Sequence, residues 1–237
     1  MPAHNQTPVF IQRPQPVSTL TEAGFSSAMV SFDSTVYQPG DEHGLAVVLP
    51  QSLGRAVAKR QAEFIAGRYC AMQALKIAGL PVQQPVINPD RSPQWPAGVY
   101  GSISHSKGVA IAAVSQQYYI GLDLEARMSD KTAANVASRI LTQDEQQRFG
   151  TGNAVEPDLL TQIFSLKESF YKAAYPQIQR FFGFEAVSVQ RLDGEAGLVG
   201  FRLEQDLSPA LRQGRVLQGQ LCKLPGQQWL SWVALPL

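Results

Sequence analysis

The segment Ile120-Gly121-Leu122-Asp123-Leu124-Glu125 alternates apolar residues with glycine and acids, without a break. A period of two is the pattern of a β-strand that is greasy on one face and acidic on the other. Ile120, Leu122 and Leu124 would bury one side. Asp123 and Glu125 would project from the opposite side, their α-carbons about 6.5–7 Å apart on strand geometry. A rigid backbone that holds two anions this close needs a cation between them or bulk water over them. Taken alone, the pattern more often marks an exposed strand face with solvated acids.

The segment Phe164-Ser165-Leu166-Lys167-Glu168-Ser169-Phe170-Tyr171-Lys172 shifts the balance. Phe164, Glu168, Tyr171 and Tyr175 recur at helical spacing, which predicts an apolar stripe with Glu168 inside it. A carboxylate on a core-facing stripe is costly without a compensating group. Lys172 follows Glu168 by one helical turn, but such a pair contributes only a few tenths of a kcal/mol. It accounts for Lys172 and leaves Glu168 among aromatics unexplained. A magnesium-sized cation accounts for both segments, because it takes oxygen ligands and keeps positions for water and phosphate. The reading requires the strand and the helix to meet, with Asp123, Glu125 and Glu168 as the metal ligands.

A long helix is expected from Ser52 to Ala78, stopped by Gly79-Leu80-Pro81. Phe64, Arg68, Met72 and Leu75 fall on one of its stripes, so the guanidinium of Arg68 is aimed at an apolar face. Either its stem snorkels past the core to water, or its tip grips a phosphate bidentately. Arg60, two turns earlier, could reach the same ligand. His105 is one of three histidines and lies between Ser104 and Ser106, in an expected loop ahead of an apolar strand. As a donor it would suit a phosphate, although a lone loop histidine is more often structural. No Gly-x-Gly-x-x-Gly or Walker-type loop occurs, so side-chain cations and a metal would have to hold any phosphates.

The remaining chain fits a soluble enzyme. Its 237 residues, 44% of them apolar, are enough for one large domain or two small ones with a real core. A net charge of +1 gives no electrostatic reason to expect nucleic acid or an anionic membrane. Cys70 and Cys222 are too few for a disulfide framework and too isolated for a zinc site. The apolar run Val109 to Val114 is far too short to span a membrane, and no secretory start is evident, so the cytoplasm is the default compartment. Residues 1–40 read as a loosely structured leader with one strand near Met29 to Phe32. Val82 to Ala97 reads as proline-punctuated loop, and Val109 to Ser115 as a strand. One or two helices are expected from Lys131 to Phe149, then a surface loop over Gly150 to Pro157. The helix of the second segment should end at Tyr175-Pro176. Strands are expected at Ala186 to Leu192, Leu198 to Leu203, Val216 to Leu221 and Trp229 to Leu235.

A Gly-hydrophobic-Asp-x-Glu strand followed about forty residues later by Phe/Trp-Ser-x-Lys-Glu-Ser-x-x-Lys resembles the signature of the Sfp-type 4′-phosphopantetheinyl transferases. Gly101-Ser-Ile-Ser-His-Ser106 resembles the upstream Ser-His motif of that family, and Lys59 to Arg68 its coenzyme-binding helix. Trp95-Pro96-Ala97-Gly98 is similar to the bacterial branch that includes the enterobactin synthase component D enzymes. The four motifs run in order from about Arg55 to Pro176, whereas the first forty residues hardly match. The resemblance implies an α+β (α/β) fold, an intramolecular pseudo-dimer of two similar α/β halves, with residues 41–116 and 117–237 as the halves and a monomer as the expected state. It implies transfer of 4′-phosphopantetheine from coenzyme A to a serine of apo acyl carrier and peptidyl carrier proteins, in siderophore, other nonribosomal peptide, polyketide or fatty acid biosynthesis, with release of 3′,5′-ADP. By resemblance Arg60, Arg68, Arg91, Ser104, His105 and Lys172 meet the coenzyme, and magnesium, or manganese in its place, sits on Asp123, Glu125 and Glu168. Glu168 would be the base, directly or through a water on the metal, and Lys172 would stabilise the leaving diphosphate. A metal-dependent phosphohydrolase of coenzyme A or a nucleotide, and a non-catalytic carrier-binding module, are the competing readings.

Overall fold

A computed structural model describes residues 8–150, 155–193 and 197–237. It divides into two compact units, Met1–Tyr118 and Tyr119–Leu237. Each is an α/β half, so the fold class is the expected α+β one.

The N-terminal unit contains helix α1 (Ser18–Glu22), strand β1 (Ser26–Ser31), helices α2 (Asp41–Gly44) and α3 (Ala58–Ile77), the ribbon of β2 (Val86–Ile87) and β3 (Pro93–Gln94), and strands β4 (Tyr100–Ser106) and β5 (Val109–Ser115). Its main sheet is antiparallel in the order β1-β5-β4. Helix α3 packs across all three strands. It can come close to β4 because residue 67 is glycine: a Cβ there would sit 2.9 Å from Ile103 Cγ2. The helix is shorter than expected at its start. Gln51–Leu53 forms a 3-10 turn, and the Gln61 side chain donates to the carbonyls of Leu53 and Gly54 at 2.9 and 3.2 Å. Those bonds fold the turn back onto the helix instead of extending it, so α3 begins at Ala58.

The segment expected to be a loose leader packs from Phe10 onward. Phe10, Ile11, Val17 and Leu20 are buried, and bridges Ile11↔Phe32 and Gln15↔Met29 lay the chain along β1. Prolines and glutamines dilute the local apolar signal, yet a few well-placed side chains suffice to bury it. His105 lies within β4, not in a loop.

The C-terminal unit is built on strand β6 (Tyr118–Ala126), helices α4 (Asp130–Ile140), α5 (Gln143–Phe149) and α6 (Pro157–Ile178), and strands β7 (Val187–Asp193), β8 (Leu198–Leu203), β9 (Val216–Leu224) and β10 (Gln228–Pro236). The sheet order is β6-β10-β9-β8-β7. Helix α6 packs on β10 and β9. It buries Leu160, Ile163, Leu166, Phe170, Ala173 and Ala174 with Val189, Phe201 and Leu203 in one core. Its start is specified locally: the Glu156 side chain accepts from Leu159 N at 2.8 Å, and Pro157 takes the first turn, where a missing N–H costs nothing. Thr142 and Glu145 form a capping box on α5. The expected stop at Tyr175-Pro176 is overrun, and Pro176 lies inside α6. Placed in the last turn, the proline forfeits only the bond to the Lys172 carbonyl. Gln179 then closes the helix in the left-handed region at φ 49°, its N–H on Tyr175 O at 2.8 Å.

Candidate active site

Strand β6 is buried on both sides from Ile120 to Leu124. The acidic face is therefore covered by α6 rather than bathed in water. Gly121 makes the cover possible, since a Cβ there would lie 2.0 Å from Ser169 O and 2.4 Å from Ala173 N. Small hydroxyl side chains complete the close approach. Ser165 Oγ and Ser169 Oγ meet Ser231 Oγ of β10 at 2.8 and 2.7 Å, and Ser165 Oγ donates to the Asp123 carbonyl at 3.4 Å. The two motif segments therefore meet. Lys172 Nζ donates to Asp123 Oδ1 at 2.6 Å and to the Leu122 carbonyl at 3.1 Å.

Asp123 is 3% exposed. Glu125 and Glu168 are half-buried beside it. Burial, with the charges of Asp123 and Glu168 against the opposing Lys172, pushes the Glu125 carboxyl up to about 7. Burial also raises Glu168, partly offset by Lys172 and reinforced by Asp123. These carboxylates thus feel one another, and Lys172 alone opposes them among the causes of either shift. The stripe reading of Glu168 needs correction. Phe164, Glu168, Tyr171 and Tyr175 are all half-buried and form the flank of α6, while the core face is the Leu160–Phe170–Ala174 row.

As a donor set, Asp123 with Glu125 and Glu168, both raised by burial and by neighbouring acids, suits a hard divalent cation. Among the described residues no three such groups already converge within reach of one ion, and Lys172 holds Asp123 Oδ1. The residues fit the cation in chemistry and leave its coordination shell to be closed on loading.

A cavity of about 230 Å³ opens beside this cluster. Glu168 and Tyr171 form one wall, and Phe181, Phe182, Gly183 and Phe184 the other. Phe181 is 80% exposed at its rim. Neither the cavity nor its aromatic wall was foreseen from sequence, because residues 179–186 lack any periodic pattern. The cavity also touches Lys167, which forms a fully buried ion pair with Glu145 at 2.6 Å. Burial pulls the Lys167 pKa down while Glu145 opposes it. That pair too escaped the sequence reading, since the partners sit on different helices.

In the N-terminal unit, Ile103 and His105 share the face of β4 that meets α3. His105 Nε2 lies 3.4 Å from Arg60 Nη1. Arg68 is buried, stacks over the Phe64 ring at 4.8 Å, and its Nε makes no hydrogen bond among the described residues. Burial and the Arg60 charge lower its pKa to about 10, so it remains a cation at neutral pH. Three cationic or donor groups thus gather without an acid on Arg68, which is the inventory of an anion site. Ser104 and Arg91 are placed elsewhere. Ser104 is buried on the opposite face of β4 from His105. Arg91 is exposed at the tip of the β2–β3 ribbon with φ 70°, and its side chain makes no ion pair among the described residues.

Comparison with known proteins shows the family. Residues 49–115 match the 4′-phosphopantetheinyl transferase N-terminal domain, and residues 119–222 match the 4′-phosphopantetheinyl transferase superfamily. The chain is 38% identical over 173 residues to enterobactin synthase component D of Salmonella typhi, covering 72% of this chain and 71% of that one. It is 38% identical over 169 residues to the same component of Escherichia coli O157:H7, 70% of this chain and 78% of the relative. The transferase PptT of Mycobacterium tuberculosis is 30% identical over 169 residues, 70% and 72% of the two chains. The chain belongs to the 4′-phosphopantetheinyl transferase superfamily. It is an enzyme that transfers 4′-phosphopantetheine from coenzyme A to carrier proteins.

Proposed function

We propose that Asp123, Glu125 and Glu168 hold magnesium, or manganese in its place, and that Glu168 and Lys172 carry the proton and charge work of transfer. The observation behind this is that Glu125 and Glu168, both raised by burial and by neighbouring acids, stand beside the Asp123 carboxylate that Lys172 holds. When bound, the ion would neutralise diphosphate oxygens of coenzyme A.

The residues themselves do the rest. Glu168, its proton affinity raised by burial, takes the proton of the carrier serine. The serine oxygen bonds to the phosphorus that bears the pantetheine arm, the bond from that phosphorus to the bridging oxygen breaks, and 3′,5′-ADP leaves. Lys172, held by Asp123 and the Leu122 carbonyl, offers a cation to the charge developing on that oxygen. Arg60, Arg68 and His105 bind coenzyme phosphate. Arg91, exposed at the turn between β2 and β3, and Ser104, buried in β4, are the further candidates for that role. The apolar cavity beside Glu168 suits the pantetheine arm, because the arm leaves the phosphorus that Glu168 must serve.

Likeness to enterobactin synthase component D supports peptidyl carriers of siderophore assembly as the substrates, and coenzyme A as co-substrate supports the cytoplasm as the compartment. The test is incubation with coenzyme A, magnesium and a panel of apo carriers from siderophore, polyketide and fatty acid systems, read by intact mass. A phosphopantetheine gain on the siderophore carriers, and 3′,5′-ADP in solution, is expected. Free phosphopantetheine with unmodified carriers would instead mark a hydrolase.

A further inference from the structure

Lys167 and Glu145 carry the charge that the transfer chemistry leaves unused. Their side chains are 1% and 0% exposed. Lys167 Nζ donates to Glu145 Oε2 at 2.6 Å, to the Ile140 carbonyl at 2.8 Å and to the Phe184 carbonyl at 3.1 Å, which fills all three of its donor positions. Glu145 accepts in addition from Thr142 N and Val189 N, both at 2.7 Å. One buried lysine thus ties α6 to the end of α4, the start of α5, the Phe184 turn and β7.

The location of these ties gives them meaning. Lys167 directly precedes Glu168, and Glu168 with Tyr171 forms one wall of the cavity. The opposite wall runs from Phe181 to Phe184, and its last carbonyl is the one Lys167 holds. Stability alone does not call for an ion pair here, since a buried pair can often be replaced by apolar residues without loss. We propose that the Lys167–Glu145 pair is a positioning device of the transferase site, fixing the gap between α6 and the Phe181–Phe184 wall and with it the width of the cavity beside Glu168. This rests on the reading that the cavity receives the pantetheine arm.

The test compares binding of coenzyme A with binding of adenosine 3′-phosphate 5′-diphosphate, which keeps every phosphate and lacks only the arm, by titration calorimetry. Lys167→Met alone leaves Glu145 as an unpaired buried charge and should lower the unfolding midpoint by about 10 °C. Adding Glu145→Gln removes that charge while keeping an acceptor oxygen, and should restore most of the loss. Wild-type protein should bind coenzyme A about tenfold tighter than this nucleotide. The double variant should bind the nucleotide as wild type does and lose the preference for coenzyme A. A preference that survives the double substitution overturns the positioning role alone. Equal binding of both ligands by wild type overturns the arm reading, and the proposal with it. A double variant as unstable as the single one makes the pair a pillar of the fold and also overturns the proposal.

Discussion

Glu168 stands half-buried one turn before Lys172, and burial raises its proton affinity above that of an ordinary carboxylate. Glu168→Gln keeps the shape and removes the base. It should cut the transfer rate by about 10²–10⁴-fold in single-turnover assays, with the circular dichroism spectrum unchanged. Glu125 gives a pH signature. Below its ordinary value of 4.5 the carboxyl is neutral in both the folded and unfolded states. Between 4.5 and about 7 the unfolded chain releases the proton while the folded protein keeps it, so stability falls as pH rises through that window. The cost above it is at most about 3 kcal/mol. In chelator-treated protein, Glu125→Gln should abolish that part of the decline, as measured by urea unfolding at pH 5 and pH 7.5. Because a cation must displace the same proton, the magnesium concentration for half-maximal activity should fall as pH rises toward and past 7. Arg68, buried and without an acid, should matter for binding: Arg68→Met is expected to raise the KM for coenzyme A about tenfold or more with a smaller change in kcat. The alternation of Ile120 to Glu125 made Asp123 and Glu125 legible as neighbours in the sequence. Lys167 was not legible, because its partner Glu145 belongs to another helix and no spacing links them.

The junction of β6 and α6 depends on Gly121, whose absent side chain leaves room for Ser169 O and the Ala173 amide. Gly121→Ala should cost about 3 kcal/mol, seen as a lower unfolding midpoint, and should remove activity by driving α6 away from Asp123. Most of the strands and the helical character of Lys131 to Phe149 could be read from period and turn residues, though not the break that makes two helices there. Helix ends were less legible. Proline at 176 was taken as a stop, although a proline in a final turn loses a single bond. The start of α3 moved to Ala58 because a distant glutamine side chain caps the preceding turn, a contact that propensity does not encode. Period also misassigned Glu168: helical spacing groups residues on a stripe, but which stripe faces the sheet is decided by the larger apolar row of Leu160, Ile163, Leu166 and Phe170.

Each half of the molecule presents its own charge chemistry, cations on α3 and β4 in the first and acids on β6 and α6 in the second. The two halves, 41–116 and 117–237, came from the family resemblance, since period alone shows only a helix followed by strands, twice over. The packed segment from Phe10 to Leu20 was not readable, since its burial rests on tertiary pairing with the chain around β1. Everything proposed for catalysis depends on the acids of β6 and α6 acting as one cation site. Manganese bound per chain in the presence of coenzyme A, counted by electron paramagnetic resonance, tests this directly. Wild-type protein should bind one ion, and Asp123→Asn and Glu168→Gln should each bind it at least tenfold more weakly. One tightly bound ion in both variants would contradict the assignment.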